Sequence, residues 1–134
     1  MTDLWGDIPS VSARTPVDVL REQASLLKQK TFGKLTGFVT QPASSDHGKI
    51  SATLGVQSPA LDDYSVALIR ITYPAELYPV EVDNLLERGR RPRAIFEPSD
   101  SVASSEGEFL DVLRNIFASD RVRQVLSGLL AHGA

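Results

Sequence analysis

The 134-residue chain contains no cysteine, one methionine, one tryptophan and two histidines. The missing cysteine removes thiolate nucleophiles, disulfides, zinc–cysteine sites and iron–sulfur clusters together. A Ser-His-Asp triad needs a base held rigidly between its nucleophile and an orienting acid. His47 falls in the turn-forming run "SSDHG" and His132 stands two residues from the end, so both read as surface residues. The acidic runs "LDDY" and "PSDS" lack the regular oxygen spacing of a calcium loop, and no GxGxxG or GxxxxGK phosphate cradle is present. No metal and no cofactor is expected. A carboxylate pair such as Glu76 and Glu81 stays open, because such pairs assemble in space rather than in sequence.

Long hydrophobic runs are missing too. No segment approaches the roughly 20 apolar residues that span a bilayer. The opening "MTDLWGDIPS" carries acidic residues and no basic n-region, so it does not read as a secretory signal. The net charge of −3 gives no global pull toward nucleic acid or anionic lipid. These features predict a soluble, cytoplasmic protein with neither nucleic acid nor membrane as partner. Hydrophobic residues at 42% and charged residues at 23% are enough to build an ordinary core.

Residues 1–14 read as a lead-in and residues 15–134 as one α+β domain. Thr15 is a good N-cap, Pro16 suits the first helical position, and Asp18 faces the positive end of the dipole. Val17, Leu20, Ala24 and Leu27 then recur at helical spacing. Lys28 and Lys30 suit the last turn, and Gly33 suits a stop. Three strands follow. "KLTGFVTQ" (34–41) is rich in β-formers. "KISATLGVQ" (49–57) alternates, with Ile50, Ala52, Leu54 and Val56 on one face. "YSVALIRITY" (64–73) is apolar at both parities, which predicts a central strand covered on both sides. A fourth, short strand is expected at "RAIFE" (93–97), with "PSDSVASSEGE" as a loop. Ser105 and Glu108 match a capping box. Phe109, Leu113, Ile116 and Phe117 form one apolar stripe, and Val122, Val125, Leu126, Leu129 and Leu130 another. The interruption "ASD" favours two C-terminal helices over one. The sum is a two-layer α+β sandwich: an N-terminal helix, an antiparallel meander of three to four strands, and C-terminal helices.

Two features point to recognition. The stretch "ITYPAELYPVEV" holds two Tyr-Pro pairs, Tyr73-Pro74 and Tyr78-Pro79. Each proline fixes φ and lacks an amide donor, so neither can sit inside a ladder, and the tyrosines are pushed toward extended backbone. A stiff strand exit follows, with rings on the core and hydroxyls seeking backbone partners. Tyr73, Leu77, Tyr78 and Val80 are its candidate contact residues. The second feature is a cluster of four arginines, Arg88, Arg90, Arg91 and Arg93, around Gly89 and Pro92. Guanidinium forks suit carboxylates or phosphates. Without interleaved aromatics for stacking, the cluster fits an acidic protein better than a nucleic acid.

The passage from an apolar strand into P-x-x-x-Y-P-x-x-V resembles that of the ubiquitin-conjugating-enzyme fold and its non-catalytic relative, the RWD domain. Pro74, Tyr78 and Pro79 would match that family's prolines and tyrosine. The resemblance implies a helix–meander–helices plan over residues 15–131 and a cis peptide at Tyr78-Pro79. It also argues against conjugating activity. Where those enzymes carry an His-Pro-Asn segment and the thioester cysteine, this chain reads "IFEPSDSVASSEGEF". The leading expectation is a non-catalytic protein-interaction module on that scaffold, with another protein as partner. An alternative is a small acidic effector-binding protein, either a toxin-immunity protein or a secretion chaperone, the latter with a homodimer. A third is an enzyme built from arginine and carboxylate.

Overall fold

The first helix begins where the residues at its start satisfy its orphan amides. In the computed structural model, which describes residues 2–9, 14–41, 48–88 and 100–132, helix α1 spans Pro16–Lys30. Thr15 caps it. Its hydroxyl accepts from the Asp18 amide at 3.0 Å, and the Asp18 carboxylate accepts from the Thr15 amide at 3.3 Å. This reciprocal pair is a capping box.

Five antiparallel strands follow: β1 (Thr36–Thr40), β2 (Ile50–Ser58), β3 (Tyr64–Tyr73), β4 (Val80–Asn84) and β5 (Ser101–Ala103). They pair in chain order, so β3 lies at the centre. A four-residue helix α2 (Leu85–Arg88) leaves β4, and the chain closes with α3 (Glu106–Phe117) and α4 (Asp120–His132). The α+β class, the N-terminal helix and the two C-terminal helices match the reading of the sequence. No described helix is long and apolar enough to cross a membrane.

Three strand expectations need correction. First, Val80–Asn84 is a strand, although the proline passage hides it. Pro79 stands just outside the ladder, so the missing amide costs no pairing. Second, Ser101–Ala103 pairs with β4 within the stretch read as loop. Its three residues are too short for a periodicity to register. The strand expected at residues 93–97 lies outside the described residues. Third, β3 is not apolar on two faces. Leu54 pairs with Ile69 but Gly55 pairs with Ala67, leaving Leu68 as an extra residue. Such a bulge shifts the side-chain parity. Leu68, Ile69, Ile71 and Tyr73 all become buried, while Ala67 and Arg70 are exposed.

The helices therefore share one face of the sheet. Val19 and Leu20 of α1, Phe109 of α3, and Ile69, Ile71, Val80 and Val82 of the sheet are fully excluded from water in one cluster. Fully burying an aliphatic or aromatic side chain of this kind contributes about 1.5–3 kcal/mol. β1 approaches α1 closely at Gly37, where a Cβ would lie 2.5 Å from the Ala24 Cα. The opposite sheet face carries polar positions such as Thr53, Arg70 and Thr72 in cross-strand register.

Candidate functional site

The proline passage is a turn between β3 and β4. Pro74 accepts from the Leu77 amide at 2.9 Å, Leu77 takes φ +84°, and the Tyr78-Pro79 peptide is cis. A left-handed leucine is costly, and here it is held by packing against the core. The four candidate residues divide. Tyr73 and Val80 are buried and face the core; Leu77 and Tyr78 are half-buried.

The two tyrosines differ chemically. Burial pushes the Tyr73 hydroxyl above the usual phenol range, and a hydrogen bond with the Val17 backbone pulls the other way. That contact ties the centre of the sheet to the first turn of α1. Burial also pushes Tyr78 up, reinforced by the Glu106 carboxylate and opposed by the Arg14 guanidinium. Its hydroxyl is buried without a hydrogen-bond partner. Arg14 bridges Glu22 of α1 and Glu106 of α3, the latter at 3.0 Å. These pairs are exposed and contribute little stability.

Of the arginine cluster, Arg88 closes α2. Arg90, Arg91 and Arg93 lie outside the described residues. The nearby carboxylate Asp83 is 6% exposed and accepts from the Asp100 amide at 3.4 Å. Glu81, the other member of the carboxylate pair left open above, accepts from Lys49 at 3.0 Å, and Glu76 is exposed on the turn. Among the described residues, no group of histidine and carboxylate side chains could hold a metal ion.

The structure also assembles a site that sequence reasoning missed. Between the C-terminal half of α1 and the start of α4 lies a groove of about 270 Å³. Leu26 and Leu27 form one wall, and Phe117, Val122 and Leu126 the other. The bulged Leu68, with Leu54 and Val56 of β2, forms the floor. Among the described residues, Lys30 and Arg123 are the charged residues that line it, and both are exposed cations.

Helix α1 ends beside this groove. The Thr31 hydroxyl donates to the Leu27 carbonyl at 2.9 Å and accepts from the Leu35 amide at 3.1 Å. The Gly33 amide donates to the Lys28 carbonyl and the Phe32 amide to the Gln29 carbonyl, which makes a Schellman ending. The left-handed residue of that motif is usually glycine. Here it is Phe32, at φ +54° and 93% exposed. The expected stop at Gly33 is thus displaced by one residue. Two signals for this site were present in the sequence: paired leucines at 26 and 27, too wide for one core stripe, and an aromatic at the end of a helix. The groove itself was not legible, since it needs the bulge at Leu68 and the angle of α4.

Compared with protein-family models, with curated proteins and with solved structures, the chain shows no match.

Proposed function

We propose that this protein is a non-catalytic protein-interaction module whose docking site is the groove between α1 and α4. The observation that carries the reading is a largely apolar trough whose charged lining residues, among the described residues, are both cations, in a chain of net charge −3. Small-molecule pockets run to roughly 300–1,000 Å³. A groove of about 270 Å³ lies at the small end of that range and has room for one or two anchoring side chains of a protein segment. The rim selects a segment with acidic residues beside its apolar anchors.

The order helix, meander and helices, with Pro74, Tyr78 and Pro79 between β3 and β4, supports a scaffold like that of the conjugating enzymes and RWD domains. The absence of cysteine keeps thioester chemistry out of the reading. Leu77 and Tyr78 offer a smaller second surface, because Tyr73 and Val80 are buried beneath it.

The test is a photo-crosslinking residue at Arg123 in the native cell, with a second at Glu76 on the proline turn. A discrete protein adduct from position 123, lost on Leu126→Asp, is expected. Adducts from position 76 alone would move the site to the turn.

A further inference from the structure

We infer that the groove receives residues 2–9 of a second copy of this chain, so that two molecules exchange N-terminal segments. This rests on the reading of the groove as a protein-docking site, and names its occupant.

The segment has the chemistry that the groove lacks. Leu4, Trp5 and Ile8 are 90%, 83% and 73% exposed, the largest concentration of exposed apolar side chains in the described residues. Single exposed hydrophobics are ordinary on protein surfaces, but three within five positions form a sticky patch. Asp3 precedes them and Asp7 lies between Trp5 and Ile8. Against these stand Lys30 and Arg123 on the groove rim, with no carboxylate among the described residues that line it. Apolar anchors thus face an apolar trough, and acids face cations.

The segment is also shaped for insertion. The Trp5 amide donates to the Asp3 carboxylate at 2.9 Å, and Gly6 takes φ +64°. This local turn sets Leu4 and Trp5 at its apex before any partner arrives, which lowers the ordering cost of binding. One indole and a neighbouring aliphatic group are of the right order to fill a trough of about 270 Å³. On its own chain the segment stands in solvent, and the groove stands open. Exchange between two copies fills both grooves and buries both segments under one two-fold operation.

Trp5 is the only tryptophan, so its emission reports the seating directly. The full-length protein would be followed over a wide concentration range by sedimentation velocity and tryptophan emission together. The expected result is a dimer whose appearance coincides with a blue shift. Ile8→Asp in the segment and Arg123→Glu at the rim should each weaken the dimer by about tenfold or more. Asp7→Lys should restore part of the affinity lost by Arg123→Glu. Leu126→Asp is a second groove variant, and the rim variant keeps the test valid if that one fails to fold.

Three outcomes would overturn the inference. One is a monomer with water-exposed tryptophan at every concentration. Another is a blue-shifted tryptophan at monomer mass, which means the segment seats on its own chain. The third is a dimer that survives Ile8→Asp, which means another face pairs. If one of these occurs while the Arg123 crosslink to a different protein persists, the docking reading stands and only the occupant is wrong.

Discussion

At its N-terminal end, helix α1 is held by a capping box and by the Tyr73 hydroxyl on the Val17 backbone, with the exposed Arg14 pairs to Glu22 and Glu106 beside them. Pro16, Val17, Val19 and Leu20 are all buried there. At its other end Leu26 and Leu27 are half-exposed, Lys28 and Lys30 stand in solvent, and the helix ends on an exposed phenylalanine in a left-handed conformation. One end resolves its polar groups and buries its apolar ones. The other keeps two unfavourable features, an uncovered apolar surface and a strained cap. Features that cost folding stability cluster at sites that do something else.

The largest contrast should come from shortening one leucine at each end. Leu20→Ala removes a fully buried side chain and should cost about 2–5 kcal/mol in chemical denaturation. Leu27→Ala, on the groove wall, should cost no more than about 1 kcal/mol, because water already reaches that side chain. It should nonetheless reduce the Arg123 crosslink. Equal costs at the two positions would break the comparison.

A smaller contrast lies between the two Tyr-Pro pairs. Tyr73→Phe loses the hydrogen bond with Val17 and should destabilise by about 1 kcal/mol. Tyr78→Phe removes a buried hydroxyl that has no partner, and should be neutral or stabilising by up to about 1 kcal/mol. Both phenols are raised by burial in the folded state. The unfolded phenol therefore ionises first, near pH 10, and stability is full below that pH and falls as pH rises through the folded value. The double Tyr→Phe variant should show a shallower alkaline loss when unfolding is followed from pH 9 upward.

This pattern also marks what could be read from the sequence. Thr15, Pro16 and Asp18 announced the tied end because a cap is local, and Ser105 announced the start of α3 for the same reason. The Tyr-Pro pairs announced the end of β3 because proline acts on its own backbone, but they read as an extended exit, and the turn that the left-handed Leu77 makes there was not legible. Leu68 could not announce a bulge, since its parity depends on how β2 pairs with β3. β4 was hidden by its neighbouring proline, and β5 by its length. The proline passage drew attention as a site through Tyr73 and Val80, and both turned out to be buried. The groove is assembled from α1, α3, α4 and two strands, so no single stretch carries its signature.

The smallest expected effect tests the central claim most directly, that the C-terminal end of α1 is shaped for contact rather than for stability. A left-handed non-glycine residue costs about 1–2 kcal/mol, and glycine gives back roughly 0.5–1 kcal/mol of that through unfolded-state freedom. The measurement is the unfolding free energy of Phe32→Gly by urea denaturation. A rise of about 0.5–1 kcal/mol is expected, since Phe32 is 93% exposed and little packing is lost. A fall would mean that Phe32 stabilises the fold where it stands, and would contradict the claim.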